Sequence, residues 1–432
     1  MTASSAAAAL GPVPSNLLPD NAQVGANGHL HVAGVDLVEL AYDYGTPLFV
    51  YDEDHLRARC REAVDAFGEG VAYASKAFLC RAMARIAHEE GMHIDVATVG
   101  EMHVALAADV PADRLVMHGN NKDTSELAEA LEAGVGRIVV DSFDELDKIE
   151  ALVSAGAQPP DVLLRVTPGV KAETHDFIST GQNDSKFGFG VSSGAAATGV
   201  ERAIASDAMN VVGIHSHIGS QVFRVESLAE ALEVIARFSE PYGLPELSIG
   251  GGLGVAYVEG EATPSISKWG AMTREVADRL CIGASIGAEP GRAIAASAAV
   301  TLYKVGTIKE LPGIRTYVAV DGGYGDNPRP VLYGSDYTTF LPRCPGADRT
   351  LVARVVGKHC ESGDVLVSDA HLPPDLTVGD ILATPVTGAY GHSMGSNYNK
   401  VFRPAVVFVR DGQVREVVRR ETVADLLATD IG

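Results

Sequence analysis

Four short stretches of the sequence combine residue types that could carry out chemistry. Lys76 stands in "YASKAF", where it leaves an apolar run and could act as a nucleophile toward a carbonyl group. "GGGLG" at 250–254 offers backbone N–H groups without obstructing side chains, as phosphate-binding loops do. "EPGRA" at 289–293 pairs an acid with an arginine, and "KHCESGDVL" at 358–366 places a cysteine beside a glutamate. Each stretch alone also fits an ordinary structural role. Whether these residues form an active site therefore depends on the secondary-structure elements that position them.

Short apolar runs alternate with longer amphipathic segments between about residues 46 and 295. The amphipathic segments repeat apolar residues at three- and four-residue spacing and end in glycine, which is typical of helices. This alternation predicts a (β/α)8 barrel, an α/β fold, with a doubly wound open sheet as the alternative. The eight candidate strands are "VAYAS" (71–75), "HIDVAT" (93–98), "RLVMH" (114–118), "RIVVD" (137–141), "VLLRVT" (162–167), "VVGIHSH" (211–217), "LSIGG" (247–251) and "ASIGAEP" (284–290).

From about residue 300 the pattern changes to β-rich runs broken by Gly, Pro and Asp. "HLHVAGVDLVEL", near residue 30, has the same character although it precedes the barrel. We therefore expect a barrel domain at 46–299 and a β-rich domain assembled from 25–45 and 300–432. The Ala-rich start of the chain, 1–24, is expected to be disordered.

The composition excludes several classes of partner. A formal net charge of -22 argues against nucleic acid and anionic membranes, since both require a basic face. The five cysteines are scattered without a Cys-x-x-Cys pair, which suits a reducing compartment and predicts no metal site. Because the start lacks a basic segment and no long apolar run is present, we expect a cytoplasmic protein without membrane spans.

Polar residues stand at the predicted carboxyl ends of the strands, where barrel enzymes build their active sites. A strand-one lysine, a glycine loop and an acid followed by arginine together describe a site for pyridoxal 5'-phosphate. Lys76 would form the Schiff base, His217 would stack on the ring, and Glu289 would pair with the pyridine nitrogen. A carboxylate at that nitrogen favours decarboxylation. The strand ends carry Lys76, Asp95, Thr98, "HGNNK" (118–122), Asp141, Arg165, "HSHIGSQ" (215–221), "GGGLG" (250–254) and "EPGRA" (289–293).

An ordered set of motifs resembles the diaminopimelate decarboxylases, which are alanine racemase-like pyridoxal phosphate enzymes. The resemblance covers roughly residues 25 to 425. It implies a homodimer whose active sites are shared across the interface. It also implies decarboxylation of meso-2,6-diaminoheptanedioate to L-lysine, the last step of lysine biosynthesis. The motifs are "YASKAFL", "HGNNK", "HSHIGSQ", "GGGLG", "EPGRAI", "DNPRPVLYG", "CESGDVL", "GAYGHSM" and "NYNKVFRPA".

The resemblance also implies roles for individual residues. Lys76 and Cys360 would be catalytic, and Cys360 would reach the cofactor of the other subunit. The cofactor would be bound by Lys76, His217, Ser220, Gly252, Glu289, Pro290, Gly291, Arg292 and Tyr390. The substrate would be bound by Arg292, Arg329, Tyr333, Glu361 and Tyr390.

This assignment has a chemical basis. The substrate has two carboxylates and two ammonium groups, so recognition of its unreactive end calls for an arginine and an acid, which Arg329 and Glu361 supply. The proton returned to the reacting carbon requires a weak acid, and thiols with pKa values of about 8.5 remain mostly protonated at neutral pH. Cys360 is therefore our candidate donor.

Other functions stay open at this point. The lysine motif reads Lys-Ala-Phe where many relatives have Lys-Ala-Asn, and Lys400 begins a stretch that is often richer in arginine. A related decarboxylase acting on ornithine, arginine or a carboxylated diamine is the main alternative. A homologue that binds pyridoxal phosphate without catalysis is less favoured, because the lysine, the cysteine and the glycine loop are all present. Glu289 argues against an amino-acid racemase.

Overall fold

The computed structural model describes residues 12–170 and 184–432. The chain divides into two compact units. The barrel unit comprises Arg57–Val255 and Thr263–Ile294, and the β-rich unit comprises Met1–Leu56, Ala256–Ala262 and Ala295–Gly432.

The described residues contain twenty β-strands. They are β1 (Ala22–Val24), β2 (Leu30–Val32), β3 (Val35–Asp36), β4 (Leu48–Asp52), β5 (Ala72–Ala74), β6 (His93–Val96), β7 (Leu115–Met117), β8 (Arg137–Val140), β9 (Asp161–Thr167), β10 (Phe189–Gly190), β11 (Asn210–His215), β12 (Glu246–Ser248), β13 (Ser285–Gly287), β14 (Ala299–Leu311), β15 (Arg315–Val320), β16 (Leu351–Val356), β17 (Val365–Leu372), β18 (Ile381–Pro385), β19 (Ala405–Arg410) and β20 (Gln413–Val418).

The same residues contain twelve α-helices. They are α1 (Leu37–Tyr44), α2 (Glu53–Phe67), α3 (Arg81–Glu89), α4 (Val99–Leu106), α5 (Thr124–Ala133), α6 (Phe143–Ser154), α7 (Ala195–Ala205), α8 (Val225–Ser239), α9 (Ile266–Leu280), α10 (Arg292–Ala295), α11 (Arg329–Tyr333) and α12 (Val423–Leu427). Polar caps fix several helix starts, as where Asp123 and Glu126 form a capping box on α5 and Ser142 caps α6.

The barrel unit is a parallel barrel. Its strands pair in the order β13-β12-β11-β9-β8-β7-β6-β5, with β10 beside β9. The Ala72 N–H donates to the Ala288 carbonyl across 2.9 Å, which joins the first strand to the last. Because the sheet closes, the barrel prediction is confirmed and the open-sheet alternative is wrong. All eight candidate strands are present; seven are shorter than expected, and β9 begins one residue earlier, at Asp161.

Apolar side chains from four different strands fill part of the barrel interior. Ala72, Val116, Val139 and Leu163 pack together, and each is buried. They come from β5, β7, β8 and β9, so the strands converge on one packed core rather than on an open pore. This packing fixes the strand ends that carry the polar residues.

The β-rich unit is built from both chain ends, as the fold prediction requires. Its main sheet has the order β17-β16-β15-β14-β4-β19-β20, with β18 also paired to β14. Strand β4 lies between β14 and β19 and is buried along its whole length. A small antiparallel sheet, β1-β2-β3, belongs to the same unit.

Two expected boundaries need correction. Strand β4 pairs within the β-rich sheet, so the barrel unit begins after Leu56 instead of at residue 46. The expected disorder of 1–24 is wrong for residues 12–24, because Leu17 is buried and β1 pairs with β2. Residues 1–11 lie outside the described part of the chain. Within the described residues, none of the helices has the length and apolar character needed to span a membrane.

Candidate active site

A buried carboxylate lies at the mouth of the barrel, just beyond β13. Oε2 of Glu289 lies 3.0 Å from Nε2 of His215, and the Ser248 hydroxyl donates to Oε1 over 2.7 Å. Nε2 of His118 lies 3.7 Å from Oε1 and 3.1 Å from Oδ1 of Asp95. These five residues, which we call the Glu289 cluster, come from β6, β11 and β12 and from the segments that follow β7 and β13.

The surroundings of the two acids in the Glu289 cluster shift their pKa values in opposite directions. Burial alone would raise the pKa of Glu289, but His215, His118 and the Ser248 hydroxyl hold that pKa well below its ordinary value. Burial and the charge of Glu289 raise the pKa of Asp95 well above its ordinary value. Burial lowers the pKa of His118 well below its usual range. The cluster therefore favours the ionised form of Glu289 and the protonated form of Asp95.

Lys76 lies on a short helical turn directly after β5 and is exposed. It lines a cavity of about 380 Å³ together with His217, Ser220, Arg165 and Glu289. This volume is sufficient for a small cofactor. The side chains of Lys76 and Glu289 thus border one space at the carboxyl ends of the barrel strands.

The glycine loop packs closely against the segment that follows β11. The Gly251 N–H donates to Nδ1 of His217 over 3.2 Å. Gly252 has φ +115°, and a Cβ there would collide with the carbonyl oxygen of Gly219. Burial, followed by the charges of Lys76 and Arg165, lowers the pKa of His217 well below its ordinary value. His217 therefore offers a neutral, flat ring at this loop.

The "EPGR" stretch is fixed to the strand that precedes Lys76. The Pro290 carbonyl accepts the Ala74 N–H over 3.2 Å, and a Cβ on Gly291 would lie 2.8 Å from the Ala74 carbonyl oxygen. Arg292 begins α10, and its Nη2 donates to the Ser220 hydroxyl over 2.9 Å. Four of the predicted cofactor residues are thereby held around the same end of the barrel.

These groups fit a pyridoxal cofactor. An ionised carboxylate suits a protonated pyridine nitrogen, a neutral imidazole suits the face of the ring, and an amino group suits the aldehyde. Glu289, His118 and His215 also have ligand atoms within 4.8 Å of one another, as a metal site would require. Because the same cavity also carries the amino group of Lys76 and the flat ring of His217, which a metal site would not need, we favour the organic cofactor.

In the β-rich unit, Arg329 begins α11 and is buried. Its Nη1 donates to the Tyr337 hydroxyl over 2.6 Å, and its guanidinium lies 4.0 Å from the centre of the Tyr257 ring. Tyr333 ends the same helix and is half-buried. Tyr390 is half-buried, has φ +59°, and interacts electrostatically with Arg329.

A turn between β16 and β17 presents Cys360 and Glu361, and both side chains are exposed. The buried Asp364 supports it, accepting the N–H groups of Tyr324 over 2.7 Å and His359 over 2.9 Å. The Cys360 N–H donates to Oδ1 of Asn399 over 3.0 Å. Two sequence motifs, "CESGDVL" and "NYNKVFRPA", therefore meet at this site, which we call the Cys360 turn (358–364).

Comparisons with known proteins agree with this chemistry. A family profile described as "Pyridoxal-dependent decarboxylase, pyridoxal binding domain" matches residues 53–296. The diaminopimelate decarboxylase of Mycobacterium tuberculosis (strain ATCC 25618 / H37Rv) is 45% identical over 437 residues, covering 96% of this chain and 98% of the relative. That of Bacillus subtilis (strain 168) is 44% identical over 421 residues, covering 94% and 96%. The chain belongs to the diaminopimelate decarboxylase family.

Solved structures of this family have the same fold. The diaminopimelate decarboxylase from M. jannaschii in complex with L-lysine has a TM-score of 0.87 at 31% identity, covering 96% of this chain and 98% of that one. The enzyme from Helicobacter pylori, also complexed with L-lysine, has a TM-score of 0.83 at 30% identity, covering 90% and 98%. The chain is accordingly a pyridoxal-dependent carboxy-lyase of this family.

The predicted site residues fall into two groups. The barrel unit brings together Lys76, His217, Ser220, Gly252 and the stretch from Glu289 to Arg292. Arg329, Tyr333, Cys360, Glu361 and Tyr390 belong to the β-rich unit. Within that unit Arg329 and Tyr390 interact, while Cys360 and Glu361 lie on a separate turn.

Sequence reasoning did not assign a role to four members of the Glu289 cluster, and Asp95 was named only as a residue at a strand end. His118 and His215 open the motifs "HGNNK" and "HSHIGSQ", so the sequence indicates that both stand at strand ends. It does not indicate that both lie near Glu289. Ser248 had no local signal. Lys122, which ends "HGNNK", is buried in a 2.7 Å ion pair with Glu145 and serves the scaffold.

Proposed function

We propose that this protein decarboxylates meso-2,6-diaminoheptanedioate to L-lysine and CO2 with pyridoxal 5'-phosphate, as the last step of lysine biosynthesis. The observation that carries the proposal is that the buried Glu289 carboxylate, bonded to His215 and Ser248, lines the same cavity as Lys76. Family membership supports the reaction. The M. jannaschii and H. pylori relatives were solved with L-lysine bound, which supports lysine as the product.

Residues of the barrel unit would hold the cofactor. Lys76 would bind its aldehyde carbon, Glu289 would keep its pyridine nitrogen protonated, and His217 would cover one face of the ring. Gly252, Ser220 and the stretch from Glu289 to Arg292 would position its phosphate and ring, with Tyr390 as a further contact. When bound, the cofactor supplies an electron sink for the electron pair released as the carboxylate leaves.

Charged groups of the β-rich unit would recognise the unreactive end of the substrate. Arg329 would bind the distal carboxylate, and Glu361 would bind the distal ammonium group. Arg292, Tyr333 and Tyr390 would complete the contacts. Ornithine has no distal carboxylate, so a buried arginine in this role favours diaminoheptanedioate over ornithine or arginine as the substrate.

Cys360 would deliver a proton from its thiol to the reacting carbon after CO2 has left. Its side chain is exposed on the Cys360 turn, a position suited to completing the site of another subunit. We therefore propose a homodimer in which Cys360 of the partner subunit and Glu361 of the partner subunit complete each site. The free, scattered cysteines suit a reducing location, and the cytoplasm remains our prediction.

The test is to incubate purified protein and pyridoxal phosphate separately with meso-diaminopimelate, ornithine and arginine, and to measure CO2 release and product chirality. We expect CO2 from meso-diaminopimelate with L-lysine as the product. Turnover of ornithine or arginine alone would contradict the proposal while leaving the fold and the cofactor site intact. Cofactor binding without CO2 from any substrate would indicate a non-catalytic homologue.

A further inference from the structure

Two tyrosines enclose the guanidinium of Arg329. Nη1 of Arg329 donates to the Tyr337 hydroxyl over 2.6 Å, and the guanidinium lies over the Tyr257 ring at 4.0 Å from its centre. The two rings are 5.2 Å apart and nearly perpendicular, at 76°. Tyr257 and Tyr337 are 4% and 3% exposed, so neither ring can move without disturbing the packing around it. This arrangement fixes both the plane and the direction of the guanidinium.

The short segment Ala256–Ala262 carries Tyr257 and belongs to the β-rich unit, although it follows the glycine loop in the chain. Oε2 of Glu261 accepts the Tyr257 N–H over 2.8 Å. Oε1 of Glu259 receives a 2.6 Å bond from Nη2 of Arg349, which is buried. A side-chain bond and a partly buried ion pair thus hold the segment that places the Tyr257 ring beside Arg329.

The bonding of Arg329 is incomplete within the described residues. Its Nε is buried and has no hydrogen-bond partner in that part of the chain. A buried cation without an anionic partner is costly, and a carboxylate that accepts from Nε and Nη2 would relieve this cost. Because Tyr337 occupies Nη1, the Nε and Nη2 edge is the one left for a two-point carboxylate contact.

We propose that Tyr257 and Tyr337 are positioning residues that direct the Nε and Nη2 edge of Arg329 toward the distal carboxylate. They would thereby set the preference for ligands that carry this group. The inference rests on the proposed function, in which Arg329 binds that carboxylate. Tyr337 acts through its hydroxyl and Tyr257 through its ring face, so the two contributions can be separated by substitution.

The experiment compares two competitive inhibitors of meso-diaminopimelate decarboxylation. L-Lysine retains the distal carboxylate, whereas 1,5-diaminopentane lacks it. In Tyr337→Phe we expect the inhibition constant for L-lysine and the KM for meso-diaminopimelate to rise about tenfold, since a bond to a charged group is lost. The inhibition constant for 1,5-diaminopentane and the kcat should stay within about twofold. Tyr42→Phe, at an exposed tyrosine, serves as the matched control.

A second pair of variants tests the ring face. Tyr257→Leu removes it and should weaken L-lysine inhibition several-fold more than Tyr257→Phe, which keeps it. Equal weakening of L-lysine and 1,5-diaminopentane in Tyr337→Phe, or equal effects of Tyr257→Leu and Tyr257→Phe, would overturn the positioning role. If the wild-type enzyme releases no CO2 from meso-diaminopimelate, the proposed function fails instead, so the two failures are distinguishable.

Discussion

The Glu289 cluster and the Cys360 turn present their reactive groups in opposite ways. In the cluster, two acids, two imidazoles and a hydroxyl are all buried and contact one another. In the turn, the support is buried at Asp364 and His359, while Cys360 and Glu361 are exposed. A buried network sets charge states that solvent cannot screen. The exposed side chains of the Cys360 turn are instead accessible to another molecule.

We relate this difference to two tasks of the proposed reaction, which are binding the cofactor and delivering a proton. The barrel unit contains the groups that would tune the cofactor ring and, apart from Tyr390, those that would hold the cofactor. In the proposed function, the Cys360 turn would contribute a proton donor and an acid, both exposed. The following predictions test this division, beginning with the largest expected effect.

Replacing Lys76 with alanine should remove the nucleophile at the barrel mouth. We expect decarboxylation to fall by more than about 10³-fold, with loss of the absorption band of the lysine-bound cofactor. Lys309→Ala, at an exposed lysine of β14, should change neither readout. A Lys76→Ala protein that kept both its activity and its absorption band would place the cofactor elsewhere.

Replacing Glu289 with glutamine should keep the size of the side chain and remove its charge. We expect kcat to fall about 10²-fold to 10³-fold, because the carboxylate would no longer hold the pyridine nitrogen protonated. Glu289→Asp keeps the charge and should lose less. The readouts are kcat and the cofactor spectrum, and equal losses in the two variants would exclude a role for the charge.

Replacing Cys360 with alanine should slow turnover about 10²-fold while leaving the cofactor spectrum intact, because only proton delivery is removed. Cys281→Ala, at another exposed cysteine, is the control. The contrast with Lys76→Ala is the informative result, since one variant loses the cofactor signal and the other keeps it. Unchanged turnover in Cys360→Ala would reject the thiol as the proton donor.

The β-rich unit also holds a buried acid whose protonation should make stability depend on pH. Burial raises the pKa of Asp326 to about 7. Between about pH 4 and pH 7 the folded state then binds one more proton than the unfolded state, so this group's contribution to stability falls as pH rises, by about 1.4 kcal/mol per unit.

Asp326→Asn removes this titration. Relative to wild type, its free energy of unfolding should therefore increase steadily from pH 5 to pH 7, as urea titrations at several pH values would measure. Asp369→Asn, at an exposed position, controls for the loss of a carboxylate. A constant difference between Asp326→Asn and wild type would show that Asp326 does not titrate in this range.

Much of the fold was predictable from the sequence because barrel strands are short apolar runs that repeat with helices. The boundary at residue 46 was not, because β4 is as apolar as a barrel strand and only its pairing with β14 and β19 assigns it. Lys76 and Glu289 could be predicted as site residues because each follows a predicted strand. The contacts of Glu289 with His215 and of Arg329 with Tyr257 join residues distant in sequence, and only packing brings them together.

The most direct test of this division of tasks mixes two variants of strongly reduced activity, Lys76→Ala and Cys360→Ala, under conditions that exchange subunits. In a hybrid dimer one site would combine an intact Lys76 with an intact Cys360 from the other chain. Random mixing of equal amounts should then restore about a quarter of wild-type decarboxylation. No recovery in a mixture shown to contain hybrid dimers would contradict the account, because both residues would then have to come from one chain.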